Sequence, residues 1–537
     1  MPSSIAIPKN YLEKVNNEYK LVDVVKDYIK DLYKFINNYK SVWNWHVVDF
    51  YMKDCWYDEK IFPTEWRLLK DCTLDEILRM TSLHEVKEEW PESLKNYIHL
   101  TKEISLIRNP ELINLDNHFT IEDINKNILI GMNPKKIYEV KILAALINKV
   151  AKSNHINNIL DIGAGQAYLS SVLAYQHNLR VLGVDCDQIQ ICGASTRNEY
   201  IKRALAFNSS NKKNNNTNNN NNKEKNENDG NYNDENYSTN ENENENENKS
   251  DSNEKEKQIG KLYMCNRLVT ENDTFASLIE EITKHEEIID PKESWLTCGL
   301  HACGDLTPSM IKLFLKGNSN AFVGIGCCYN LLTEEDHDNN EKGFPLSEFS
   351  NENGFQLGPA AKMIACQVTP KWITQKSSIG ETFKKHFYRA LLQVIIFENH
   401  LLPEEEEVEN HIVIGRMRKQ HMKSFKAYAT EALQRLHVPI EKIESLPFES
   451  YVEKYQHRQG EIIAAWALRT LISNAIESLI LTDRWLFFQE QSRILQESTQ
   501  NQCIDTHLFP LFDQVTSPRN MVFIAIKKTQ AKKPKNF

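Results

Sequence analysis

Apolar residues recur every three or four positions through roughly the first 150 residues. The clearest stripe is Leu21-Val24-Val25-Tyr28-Ile29-Leu32-Phe35-Ile36, which predicts an amphipathic helix. An aromatic-dense stretch, VWNWHVVDFYMKDCWYDEKIFPTEW, follows at 42–66. It reads either as a helical core with amphipathic rings or as a stacking platform for bases.

The pattern changes at about Ile156. Short apolar runs now alternate with helical segments up to Ile395. The runs are Ile159–Ile162, Arg180–Asp185, Lys261–Cys265, Trp295–His301 and Ala321–Cys328. Strands that are apolar on both faces and alternate with helices predict a parallel sheet covered on each side. From about 400 to 500 the period is helical again, as in Phe425, Tyr428, Ala429, Ala432, Leu433 and Leu436, after an acidic run Glu404–Glu407. Two last runs, Thr506–Phe509 and Met521–Ile526, flank Ser517-Pro518-Arg519-Asn520 and predict a closing antiparallel hairpin.

One tract belongs to neither period. Between Asn208 and Gln258 there is no Leu, Ile, Val, Met, Phe or Trp. Such a segment buries too little apolar surface to offset ordering entropy, so it is expected to be disordered. Twelve acids and seven lysines between Asn211 and Lys257 carry −5 of the net charge of −10. The rest of the chain is therefore only mildly acidic. That excludes a globally basic nucleic-acid binder and leaves any such surface local.

The motif order places the tract inside one sheet, at a helix-to-strand connection away from the strand carboxyl ends. The expected organisation is a helical domain at 1–130 and an α/β core beginning at 131–400, with 208–258 as the insert. A helical insertion follows at 401–500, then a hairpin at 501–528 and a basic tail at 529–537. Eleven scattered cysteines, with no apolar leader segment and no run of about 18 apolar residues, predict reduced thiols in the cytoplasm or nucleus and no membrane span. The pattern fixes no oligomeric state.

The sharpest chemistry lies in Leu160-Asp161-Ile162-Gly163-Ala164-Gly165-Gln166-Ala167-Tyr168-Leu169, directly after a strand and opening a helix. Glycines there let the backbone turn tightly and approach a ligand. Asp185 ends the next strand, where a carboxylate can accept both hydroxyls of a ribose. NAD and S-adenosylmethionine both fit that outline. The dinucleotide fingerprint needs glycine at 168, where Tyr168 stands, and Asp161 suits a cationic amino group better than a pyrophosphate. The pattern therefore favours S-adenosylmethionine, with a ligand-free tight turn as the plainer alternative.

The chain resembles the methyltransferase-like protein 25 family of class I S-adenosylmethionine-dependent methyltransferases. The resemblance rests on GMNPKKIYEV (131–140), LDIGAGQAYLS (160–170), GVDCDQIQICGASTR (183–197), GLHACGDLTP (299–308), GIGCCYNLLTE (324–334), GFPLS (343–347), FYRALLQ (387–393) and SPRNMVFIAIK (517–527). It implies an α/β, Rossmann-like seven-stranded methyltransferase sheet, with the cofactor at the strand carboxyl ends. Carried over by position, Asp161, Gly163 and Gly165, with Gln166 and Tyr168 of the same motif, would cradle the methionine end. Asp185 would hold the ribose, and Asp187 would edge the adenine.

The fourth and fifth runs end in His301-Ala302-Cys303-Gly304-Asp305 and Cys327-Cys328-Tyr329-Asn330, side by side in such a sheet. His301 is the candidate general base. Cys303, Asp305, Cys328 and Asn330 are acceptor-site candidates. HACG also resembles a stretch of a tRNA ribose 2′-O-methyltransferase family, whereas the Asn-(Leu/Ile)-Pro-(Tyr/Phe) motif of rRNA adenine dimethyltransferases is missing. The cysteines read as buried thiols, a covalent nucleophile or zinc ligands. No metal is expected, because adjacent cysteines on a strand face opposite ways. Lys135 and Lys136 are candidates for phosphate contacts, against a solvated helix face. Arg389 and Arg519 are expected as buried partners of carboxylates. The expected activity is methyl transfer to a macromolecule, RNA before protein. The alternative is an inactive cofactor-binding scaffold.

Overall fold

The computed structural model describes residues 4–113, 119–219, 260–270, 272–283, 293–335, 342–402, 414–499 and 502–529. Seven strands form one sheet. They are β1 (Asn158–Ile162), β2 (Arg180–Asp185), β3 (Lys261–Asn266), β4 (Trp295–Ala302), β5 (Ser319–Gly326), β6 (Gln502–Pro510) and β7 (Met521–Thr529). Their order is β3-β2-β1-β4-β5-β7-β6. The first five are parallel, and β7 pairs antiparallel with both β5 and β6. This is the Rossmann-like seven-stranded α/β sheet that the sequence predicts.

Sequence explains the placement. Every residue of β1 is buried, as a central strand requires, whereas β3 at the edge is mostly half-exposed. The topology reverses direction between β1 and β4, so the cleft for a ligand opens at their carboxyl ends. The chain returns to add β7 against β5 only after the whole helical segment up to Thr499.

The helices that frame the sheet and the site include α1 (Leu21–Asn38), α2 (Leu74–Leu83), α3 (Glu92–Glu103), α4 (Pro134–Ser153), α5 (Tyr168–Tyr175), α6 (Gln188–Asn219), α7 (Leu306–Lys316), α8 (Lys376–Glu398), α9 (Phe425–Arg435), α10 (Gln459–Leu471) and α11 (Ser473–Thr499). The stripe read from the sequence is the buried face of α1, and it packs against α11, which also packs against β6. Thr73 and Glu76 form a capping box that starts α2. The aromatic stretch is core: Trp43, Trp45, Phe50, Tyr51, Trp56, Phe62 and Trp66 are all buried. One continuous apolar cluster runs from Ile5 through the sheet to Ile526. Each fully buried Leu, Ile or Val in it contributes roughly 1.5–3 kcal/mol. A window within Phe448–Thr499 is apolar enough to span a bilayer, but 83% of it is buried in this core.

Three expectations need correction. The polar tract does not lose structure at Asn208, because α6 runs on to Asn219. Extending an existing helix needs no new nucleus, so even asparagine can continue it. The tract from 220 to 258 lies outside the described residues, as does the acidic run Glu404–Glu407. β7 runs to Thr529, one residue into the expected basic tail, the rest of which lies outside the described residues. Lys527 Nζ donates to the carbonyls of Phe314 and Gly317, both at 2.8 Å, and so caps the end of α7. Arg389 is exposed on α8 and is no buried partner.

Candidate functional site

β1 and β2 end side by side, and the turn after β1 sets the floor of the site. Gly163 and Gly165 have φ of 73° and 53°. A Cβ at Gly165 would meet nothing within 4 Å, so its left-handed backbone requires the glycine and the space above it stays open. Asp185 ties this turn to β2. Its Oδ2 accepts from Gly165 N at 2.8 Å and its Oδ1 from Asp187 N at 2.9 Å. Lone pairs remain on both oxygens for a diol.

A cavity of about 440 Å³ opens here, lined among others by Gly163, Asp185, Val269, Thr270, Cys303 and Asp305. That is within the size range of ligand sites, roughly 300–1,000 Å³. Gly163, Asp185, Cys303 and Asp305 are thus brought together as the sequence implied. Leu268, Val269 and Thr270 supply the wall after β3, where the sequence singled out no residue. A larger cavity of about 700 Å³ lies between α8, α9 and α10 and touches none of these groups.

Other predicted residues sit one layer back. Asp161 is 2% exposed and lies beneath the glycine turn. Its Oδ2 accepts from Ser170 Oγ at 2.5 Å, and Cys298 Sγ approaches Oδ1 at 3.8 Å. Burial raises its pKa to about 6, which those bonds only partly counter and the nearby Asp185 charge reinforces. Asp187 accepts from Ile189 N at 2.8 Å and starts α6. Gln166 Nε2 donates to Gln190 at 2.9 Å. Tyr168 OH donates to Gly131 O at 2.8 Å, and the Arg197 guanidinium lies 4.6 Å from its ring. Arg197 also donates to Ile128 O, Ile130 O and Ser171 Oγ at 2.6, 2.9 and 2.9 Å. These contacts latch the GMN turn onto the first helix of the site. Asn330 accepts from Cys366 Sγ at 3.2 Å, and Asp305 accepts from Thr333 N at 3.0 Å.

His301, the last residue but one of β4, has φ 68°, and its Nε2 is 3.1 Å from Glu139 Oε1. Glu139 is fully buried on α4. Ser517 Oγ donates to the same oxygen at 2.6 Å, and Lys135 and Lys136 lie 3.4 and 3.5 Å from the carboxylate. Burial pulls this carboxyl upward, but His301, Ser517 and Lys135 outweigh it and leave its pKa at about 2. Lys135 and Lys136 therefore do more than decorate a solvated face. Glu139 was missed from sequence. Its signal was an acid on an apolar helix face, three and four residues after two lysines.

Past β5, Tyr329 OH donates to Glu477 at 2.7 Å, and Arg108 and Arg519 lie 2.9 and 3.2 Å from the same carboxylate. Arg519, half-buried, is thus the carboxylate partner that its apolar surroundings suggested. The cysteines overturn the expected geometry. Sγ of Cys303 is 2.9 Å from that of Cys327 and 3.1 Å from that of Cys328, and the last two are 3.5 Å apart. Strand alternation does not apply to them, because β5 ends at Gly326 and Cys328 has φ −97° and ψ 78°.

Residues 135–335 match a family described as a methyltransferase domain. The chain is 26% identical to a human protein named probable methyltransferase-like protein 25, over 94% of this chain and 97% of that one. It is 24% identical to the mouse protein of the same name, over 94% and 96%. No solved structure matches.

Proposed function

Because the chain carries a methyltransferase domain and resembles methyltransferase-like protein 25 over nearly its whole length, we propose that it moves the methyl group of S-adenosylmethionine to RNA. The observation that carries this reading is the convergence of the open glycine turn, Asp185 and the β4 end on one cavity. When bound, the cofactor would supply an electrophilic methyl on a cationic sulfur. Asp185 would hold its ribose hydroxyls, and Leu268 and Val269 would offer an apolar wall to its base. The fixed backbone of the Gly163–Gly165 turn would orient the amino acid end above Asp161.

His301 would take the proton of the attacking acceptor group. Its Nε2 faces Glu139, which leaves Nδ1 for the acceptor. Glu139 would hold the ring and stabilise the imidazolium, as a carboxylate does for a catalytic histidine. The main contribution of the chain would be to place the two reactants and exclude water.

The RNA preference rests on the cations at this edge. Lys135 and Lys136 flank Glu139, and Lys371 Nζ reaches Thr516 O in the adjoining loop at 3.1 Å. Burial and the neighbouring Lys135 lower the Lys371 pKa. Phosphate contacts there would position a nucleic acid without reading its bases. A cofactor-binding scaffold is the second reading, favoured by the internal contact of His301 with Glu139. Reduced thiols throughout agree with a cytoplasmic or nuclear protein.

Calorimetry with S-adenosylmethionine, with Asp161→Ala as control, tests the cofactor. No binding by the intact protein sinks both readings. Methyl transfer from labelled cofactor to fractionated RNA and protein, with His301→Ala alongside, then tests the reaction. Label in protein alone would overturn the RNA assignment, and an unchanged His301→Ala rate would remove the base.

A further inference from the structure

We propose that Cys303, Cys327 and Cys328 form a three-thiolate zinc site at the mouth of the cavity, its fourth position open to the cavity. The inference starts from the backbone. Gly304 N donates to Cys328 O at 3.1 Å, which seats the loop after β4 against the loop after β5. Gly304 has φ 54°, and a Cβ there would stand 2.6 Å from Leu331 Cβ and 2.8 Å from Leu331 O. Only glycine permits this approach, and the approach delivers Cys303 onto the other two thiols.

The three sulfurs then lie 2.9, 3.1 and 3.5 Å apart, and all three cysteines are free. Three thiols gathered this closely gain little from weak S–H contacts with one another. A thiophilic cation is the ligand that such a set accommodates. Tetrahedral zinc, with bonds of about 2.3 Å, holds its sulfurs roughly 3.8 Å apart. The cluster therefore needs to open by less than about 1 Å to close on a metal.

Charge agrees with the geometry. Binding displaces up to three thiol protons, and the filled site carries one net negative charge. Arg519 supplies a nearby cation. Its guanidinium stands 5.4 Å from the ring of Tyr329, the residue that follows Cys328. Three protein ligands and one open place is the pattern of zinc sites that take part in chemistry, not those that only brace a fold. Cys303 lines the cavity, so the open place falls on that side. The site requires no particular methyl acceptor.

The test uses the full chain, purified under reductant. Elemental analysis should find about one zinc per chain. After metal removal, cobalt(II) should give thiolate charge-transfer absorption and the visible bands of a tetrahedral ion. Cys327→Ser should lose both. Circular dichroism establishes whether that variant is folded. If it is not, protection mapping on the intact protein decides instead. Zinc should shield Cys303, Cys327 and Cys328 from alkylation while the exposed Cys186 and Cys192 stay reactive. No cobalt charge transfer with no protection would overturn the site. So would metal retained in a folded Cys303→Ser/Cys327→Ser/Cys328→Ser chain, or a disulfide between two of these cysteines under the same conditions.

Discussion

Asp161→Asn should make the protein more stable and stop it binding S-adenosylmethionine. The carboxyl is buried beneath the glycine turn, and its pKa stands at about 6 against an ordinary 3.8. A carboxyl whose pKa is raised by folding binds more protons folded than unfolded between those two values. Stability therefore falls as pH rises through that window, and the full cost remains above it. A shift of this size costs about 3 kcal/mol at pH 7.5 and only about 0.5 kcal/mol near pH 4. The amide is nearly isosteric, can still accept from Ser170, and carries no charge to desolvate. Urea unfolding should show the variant gaining up to about 3 kcal/mol at pH 7.5, with the gain shrinking toward zero at pH 4. Calorimetry should show cofactor binding lost. A variant less stable at pH 7.5 would refute the desolvation argument. Unchanged cofactor affinity would show that the acid has no part in the site.

The other expectations concern the frame around the cavity. Glu139→Gln leaves His301, Lys135 and Lys136 without their common carboxylate and should cost about 3 kcal/mol at neutral pH. The folded pKa of about 2 is below the ordinary 4.5, so the difference from wild type should be full above pH 4.5 and fade as pH falls toward 2. Acid-range unfolding curves check this, and a difference that grows on acidification contradicts it. Tyr168→Phe removes the bond to Gly131 O, so thermal melts should show about 1 kcal/mol lost and calorimetry a weaker cofactor affinity. Equal affinity would mean that the latch does not shape the turn. Replacing residues 220–258 with a short flexible linker should leave cofactor affinity within about twofold, since changing the length of a connection alters closure entropy only slowly. A large loss would show that the tract reaches the cleft.

How much of this was legible in the sequence depends on range. The strands around Ile159, Val181 and Phe322 are continuous apolar runs, and their order follows from motifs that each sit at a strand end. Gly163 and Asp185 were readable because backbone turn and strand terminus set their positions directly. Glu139, Ser517 and His301 were not readable as a group, because 378 residues separate Ser517 from Glu139. Only the late return of β7 to β5 brings those segments together. The cysteine geometry was misread for a local reason. Alternation holds within a strand, and β5 stops one residue before Cys327. Asp161 was placed correctly along the chain, yet its bonds to Ser170 and Cys298 depend on a helix and a strand that periodicity alone does not dock.

The sheet order also says what a protease would do to this protein. A cut within 220–258 would separate a piece holding β1 and β2 from a piece holding β3, β4, β5, β6 and β7. Those pieces do not lie on opposite sides of a seam. β2 pairs with β3, and β1 pairs with β4, so the first piece is laced into the second along both of its edges. Gly260, the first described residue of the second piece, already fits so closely that a Cβ would stand 2.0 Å from Ala174 O of the first. The nicked chain would therefore behave as a two-fragment complex that migrates as one species until denatured. Each half would serve as the template on which the other completes its hydrogen bonds.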